Sequence, residues 1–240
     1  MAPALLFPSS GYGNDYAPTS TAWDGMSALV ETAREARVRL EYNHQLDWAE
    51  VSTDDILFFL YPETPIDEEQ AGTFVRHGGH VVVVDDHGAS DPFLANVGIH
   101  RLNAFEGHDE FLHDDEDFPV LTPTQRHFLF FNLPEAGGSV IGNYPSAFQV
   151  DPGVDAILTY ANPEQVFIAE ATIGDGAVLA VADGSLFINE MQRHHGDKQL
   201  VANLFRYYCR REPCKVRVVL PHAEHQGVFT PPVEEPPDSL

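Results

Sequence analysis

Asp85-Asp86-His87-Gly88 closes the run His80-Val81-Val82-Val83-Val84. Open α/β sheets place their sites at the carboxyl ends of strands. Two carboxylates and an imidazole at such a turn suit a divalent cation or acid–base work. The same residues also suit plain structure, and that reading is favoured. Asp86 would cap the helix that follows, His87 would be a solvated loop residue, and Gly88 would serve the turn.

A second constellation runs from Asp183-Gly-Ser-Leu-Phe-Ile-Asn189 to His194-His195-Gly196-Asp197. Asp183 and Asn189 are short polar groups that close turns on the backbone, and Asp197 is a natural N-cap. The functional alternative has Asp85, Asp183 and Asn189 converging on one cleft. The candidate ligand-binding set is therefore Asp85, Asp86, His87, Asp183, Asn189 and Asp197, with no catalytic residue, metal ligand or cofactor assigned. The acidic stretch Ala104–Asp117 carries nine His, Asp and Glu residues, from Glu106 to Asp117. It lacks the Asp-x-Asp-x-Asp-Gly spacing of a calcium loop, and His108 and His113 are not a helical zinc pair. A solvated charge run is the favoured reading, and weak cation binding is the alternative. Cys209 and Cys214 stand four residues apart, close enough for a small disulfide loop. Two unrelated thiols are the alternative. A bond would imply an oxidising compartment.

These groups have to be carried by a framework, and the chain supplies one. It has 240 residues, 43% of them hydrophobic, with 13 Lys and Arg against 37 Asp and Glu, a net charge of −24. That field repels nucleic acid and anionic lipid, whose recognition needs clustered Lys and Arg. No apolar run approaches the ~20 residues of a membrane span. The start lacks a positive n-region and reaches Pro8 too early for a signal peptide. Neither a P-loop nor a dinucleotide fingerprint occurs; Ser10-Gly11-Tyr12-Gly13-Asn14 is only superficially similar.

The order of elements is strand (Ala4–Phe7), Gly/Ser/Pro-rich loop (Pro8–Thr21), helix (Asp24–Arg37, capped by Asp24), strand (Val38–Tyr42), strand (Asp55–Leu60), helix (Ile66–His77), strand (His80–Asp86). Unbroken valine without alternation marks burial on both faces, at the centre of a parallel sheet. Asp91–Val97 reads as a short helix. His127–Asn132, Ser139–Gly142, Ala156–Thr159, Val166–Glu170 and Ala177–Ala182 read as strands, followed by a helix at Asp197–Arg210 and a strand at Lys215–Leu220. The predicted class is α/β: a doubly wound, flavodoxin-like, mainly parallel sheet with helices on both faces and an antiparallel extension. One domain is expected over 4–220, then a Pro-rich tail or linker over 221–240.

Asp55-Ile-Leu-Phe-Phe-Leu-Tyr-Pro62, a helix, and Phe74-Val-Arg-His-Gly-Gly-His-Val-Val-Val-Val-Asp-Asp86 resemble the class I glutamine-amidotransferase-like superfamily. Asp183-Gly-Ser-Leu-Phe-Ile-Asn189, with Asp197 opening a helix, is more specifically similar to the domain-of-unknown-function 4350 family, related to GldG-type and GIFT domains. The similarity covers roughly 4–210. Active amidotransferases carry a Cys nucleophile on the turn after the central strand and a His-x-Glu pair after a later strand. Here those places hold Asp85-Asp86-His87-Gly88 and Asp183–Asn189. The resemblance therefore implies a scaffold that keeps the cleft without the acyl-transfer chemistry: a non-catalytic ligand- or protein-binding module. It also implies a cell-envelope, extracytoplasmic setting and an unidentified protein partner, a membrane-associated one among the options, with no direct membrane insertion by this chain. The alternatives are a metal-dependent or acid/base hydrolase using Asp85, Asp86 and His87, and a purely structural subunit of an envelope assembly.

Overall fold

The valine run lies where its composition places it. In the computed structural model, which describes residues 16–133, 138–210, 214–220 and 227–229, it forms a strand flanked on both sides. The expected strand Ala4–Phe7, the Ser10–Asn14 segment and the Pro-rich tail 231–237 lie outside the described residues. In chain order the elements are α1 (Ser27–Glu35), β1 (Val38–Asn43), β2 (Ile56–Leu60), α2 (Glu68–Arg76), β3 (His80–Val84), α3 (Asp91–Ala95), β4 (Ile99–Leu102), β5 (Val120–Leu121) and β6 (Val140–Ile141). They continue with β7 (Ala147–Val150), β8 (Asp155–Thr159), β9 (Val166–Ile173), β10 (Gly176–Val181), α4 (His195–Tyr208), β11 (Cys214–Val219) and β12 (Gly227–Phe229).

Among the described residues the main sheet has ten strands. Nine follow the order β12-β1-β11-β2-β3-β10-β9-β7-β4, and β8 adds to β9. The five from β1 to β10 pair parallel. The flanking pairs are antiparallel. A separate two-stranded ribbon joins β5 to β6.

Side chains alternate across a strand, so neighbouring residues of β2 report the two faces. Phe58 stacks on Phe205 of α4 at 5.9 Å and meets Phe187 at 6.0 Å. Phe59 is buried on the other face. There Trp48 packs against Phe74 of α2, 6.4 Å between rings. Helices α1 and α4 thus cover one face and α2 and α3 the other, which is the doubly wound arrangement. The Gly-Gly after α2 has two separate causes. Gly78 adopts φ +94°, and a Cβ on Gly79 would lie 2.3 Å from the Phe74 ring. Among the described residues no helix is long and apolar enough to cross a membrane.

Five local expectations change. The apolar run His127–Asn132 is a tight helical turn at Phe128–Phe130, because Asn203 of α4 takes the carbonyls of Leu129 (2.9 Å) and Phe131 (2.7 Å) that a ladder would need. Strands β4 and β7 form where none was expected, as an antiparallel pair, and β12 lays Gly227–Phe229, expected to belong to the tail over 221–240, along the β1 edge of the main sheet. Asp24 does not cap α1, whose N-cap position is Met26. Asp197 does not cap α4, which begins two residues earlier, after His194.

Candidate functional site

Strand β2 and its neighbour β3 are followed by elements on the α2 face, whereas β10 leads into α4 on the opposite face. Between β3 and β10 the connections diverge, and ligand crevices of open α/β sheets form at such a switch point. Val84 pairs with Val181, and the ladder extends through Asp85 N–H to the Val181 carbonyl at 3.0 Å. Continuing that register sets Asp85 beside Ala182 and Asp86 beside Asp183. Asp86 and Asp183 then share the α4 face, and Asp85 points to the other.

On its own face the Asp85 carboxylate is fully engaged. It accepts from Gly88 N–H (2.6 Å), Ser90 N–H (3.2 Å), the Ser90 hydroxyl (2.5 Å) and the Arg101 guanidinium (2.8 Å). Arg101 also donates to the Asp85 carbonyl and to the half-exposed Asp91. Its guanidinium lies 5.7 Å over the Phe148 ring. Asp85 is 0% exposed. Gly88 must be glycine here, since a Cβ would stand 2.6 Å from the Asp85 carboxylate and 2.7 Å from the Pro62 carbonyl.

Asp183 is equally enclosed. It accepts from Ser185 N–H (2.8 Å), the Ser185 hydroxyl (2.7 Å) and Asn143 N–H (2.8 Å). Burial raises its pKa from 3.8 to about 7, assisted by the negative charge of Asp86. Asp197 sits in the first turn of α4 and accepts from Ile141 N–H at 2.9 Å. Burial lifts its pKa well above the usual value, and Asp183 adds to the rise. These two acids pin the β6 segment to the sheet. Asp86 is mostly buried, accepts from His87 N–H at 2.8 Å, and is also raised in pKa by burial. His87 is exposed.

Asn189 belongs elsewhere. Its carbonyl oxygen accepts from Ala28 N–H (2.8 Å) and the Ser27 hydroxyl (3.3 Å), capping α1 from 161 residues away. Its amide donates to the carbonyls of Ser20 (2.8 Å) and Ala22 (2.6 Å). Replacing Asn189 by Ala removes a cap and strands buried backbone groups, so the unfolding free energy should fall by about 2 kcal/mol. Urea denaturation measures this, and a loss below about 0.5 kcal/mol would contradict the capping role.

The structure thus does not bring Asp85, Asp183 and Asn189 together; Asp85 and Asp86 turn to opposite faces of the sheet, and His87 is exposed beside Asp86. Among the described residues no three His, Cys, Asp or Glu are arranged to hold a metal ion. What meets at the switch point is Asp86, Gly184 and Tyr61. A Cβ on Gly184 would lie 3.0 Å from the Tyr61 ring and 3.2 Å from the Asp86 carboxylate. Tyr61 directly follows β2 at φ +44°, a conformation costly for a non-glycine residue, and stacks with Tyr16 at 6.5 Å. Beside His87 opens a cavity of about 440 Å³, walled by residues of the acidic stretch and by Tyr144 and Pro145. Sequence reasoning missed Arg101, Tyr61 and Tyr144. Tyr61 alone had a signal, as the residue between a buried strand and Pro62. Cys209 and Cys214 are joined by a disulfide, Cα–Cα 5.4 Å, between the end of α4 and the start of β11.

Among solved structures the chain is similar to the mmIFT52 N-terminal domain, with 12% identity over 65% of this chain and 78% of that one, TM-score 0.52. It is similar to Cytoplasmic Protein STM1381 from Salmonella typhimurium LT2, with 12% identity over 77% and 87%, TM-score 0.50. It also aligns with a beta-galactosidase from Bacillus circulans sp. alkalophilus at 16% identity and TM-score 0.43, through 65% of this chain but only 22% of that enzyme. At these identities the likeness concerns the fold alone. Nothing among the curated proteins matches. Residues 18–205 match the model of one protein family, and on that match the chain belongs to the family described as "Domain of unknown function (DUF4350)".

Proposed function

We propose that this chain is a non-catalytic ligand- or protein-binding module built on a class I amidotransferase-like scaffold and serving a cell-envelope assembly. The observation that carries the reading is the state of the turn after β3. An acyl-transfer site needs a nucleophile there with a base in hydrogen-bond reach. Here Asp85 is bound by Arg101, Ser90 and Gly88, and Asp183 by Ser185 and Asn143. The groups at the places where amidotransferases hold their catalytic residues hold loops together instead. The exposed part of the crevice, His87 and the adjoining cavity, offers a surface for binding. A parallel core with its switch point between β3 and β10 supports the scaffold assignment, and the Cys209–Cys214 bond supports an oxidising compartment.

Ammonia release from glutamine and hydrolysis of p-nitrophenyl esters test the reading. Rates should equal the buffer blank. Turnover that disappears in Asp86→Ala or His87→Ala would overturn it.

A further inference from the structure

The cavity beside His87 has an unusual wall for so acidic a chain. Phe105, Phe111 and Tyr144 line it together with Glu116 and Asp117. Phe105 is fixed by stacking on Tyr160, 4.5 Å between parallel rings, and Phe111 lies 6.5 Å from Phe105. His108 completes the wall with neither ring nitrogen free. One meets the Val120 carbonyl at 3.1 Å and the other accepts from Ala161 N–H at 3.2 Å. Tyr144 is held at φ +52° with its backbone N–H on the Asp117 carbonyl at 2.8 Å; the residue is 58% exposed, its ring edge-on to Phe118. The neighbouring Asp117 carboxylate pushes the Tyr144 phenol up in pKa.

Aromatic faces attract a cation through their quadrupole, and the attraction grows where carboxylates stand behind the rings. Neutral apolar ligands would leave Glu116 and Asp117 desolvated without a partner, and anions would meet repulsion. We propose that this cavity binds an organic cation, an ammonium or guanidinium head on an apolar stem. The inference rests on the binding-module reading and names its ligand class. About 440 Å³ suffices for one such head and its stem.

Calorimetric titration at low ionic strength tests it, with tetramethylammonium, N-acetylarginine amide, an arginine-centred tetrapeptide, and N-acetylcitrulline amide as the neutral counterpart of the arginine probe. At least one cationic probe should bind, and the citrulline derivative should not. Tyr144→Leu keeps every charge and the apolar volume, and should weaken binding about threefold to fivefold. Glu116→Gln with Asp117→Asn should weaken it at least about threefold. A tetrapeptide that binds about tenfold tighter than the single arginine derivative assigns the cation to a protein partner, and equal affinities assign it to a small molecule; both agree with the proposal. No binding by any cation, equal binding of the neutral derivative, or unchanged affinity in Tyr144→Leu would overturn it, the last by assigning the signal to the general acidic field. Esterase or glutaminase turnover would instead count against the non-catalytic reading, so the two failures are separable.

Discussion

Arg101→Met should lower the unfolding free energy by about 3–5 kcal/mol, among the largest effects available in this molecule. The cause is Asp85. Its carboxylate is wholly buried, and Arg101 is the cation that faces it at 2.8 Å. Methionine keeps most of the apolar stem, including the packing near Phe148, and removes the guanidinium. The charge left behind is held only by Gly88 and Ser90. Neutral donors do not replace a counter-ion in a low-dielectric site, and one uncompensated buried charge costs several kcal/mol.

The partner variant isolates the term. Asp85→Asn retains an acceptor for Gly88 and Ser90 while removing the charge. Arg101 then still has Asp91 and the Asp85-position carbonyl, so this variant should lose less. The double variant should be more stable than the sum of the two single losses predicts, by at least about 1 kcal/mol, because the stranded carboxylate is gone. Urea denaturation with unchanged m-values supplies all four corners of the cycle. An Arg101→Met protein within about 1 kcal/mol of the parent would mean that Asp85 takes up a proton or water when the cation leaves, and that the pair is not what fixes this turn.

Arg101 also shows what the sequence could and could not disclose. The valine run was readable because burial on both faces erases alternation, and its four residues needed no knowledge of the partners. Helix α2 was readable because Asp67, the acidic first turn and Gly78-Gly79 are local signals. Strand β4, which carries Arg101, is four residues long, His100 and Arg101 among them, so it has neither the length nor the pattern of a strand. Asn189 looked like a turn-former or a cleft residue, and it caps a helix 161 positions away. Spacing rules encode contacts along a chain, not across it. The Asp85–Asp183 cleft failed for a sharper reason. Both residues do end parallel neighbours, but the register offsets them by one, and in a sheet an offset of one is the opposite face.

Raising the pH from 4 to 8 should strip the folded protein of roughly 4 kcal/mol contributed by Asp183, a loss that Asp183→Asn should not show. In the folded protein Asp183 titrates at about 7, against 3.8 for the ordinary carboxyl. Between those two values the folded state holds a proton that the unfolded state has released. More protons on the folded state make stability fall as pH rises. The contribution is fully present below about pH 3.8 and lost as pH passes through about 7. Asp86 and Asp197 are shifted the same way by burial, whereas burial lowers the pKa of His80, His127 and His194, whose contribution to stability rises with pH, so the variant is needed to single out Asp183. Asparagine fits the same space, but its NH2 group cannot accept a hydrogen bond, whereas the hydroxyl oxygen of the protonated acid can. Facing Asn143 N–H and the Ser185 donors, the variant should be the less stable protein near pH 4, by about 1–2 kcal/mol. Near pH 8 the parent must keep a charge in a fully enclosed site and the variant does not, so the order should reverse. The measurement is unfolding free energy by urea at half-unit steps from pH 4 to 8 for both proteins. Parallel curves would place a charged Asp183 in the folded state throughout, held by its three donors, and the turn after β10 would then owe its geometry to an anion.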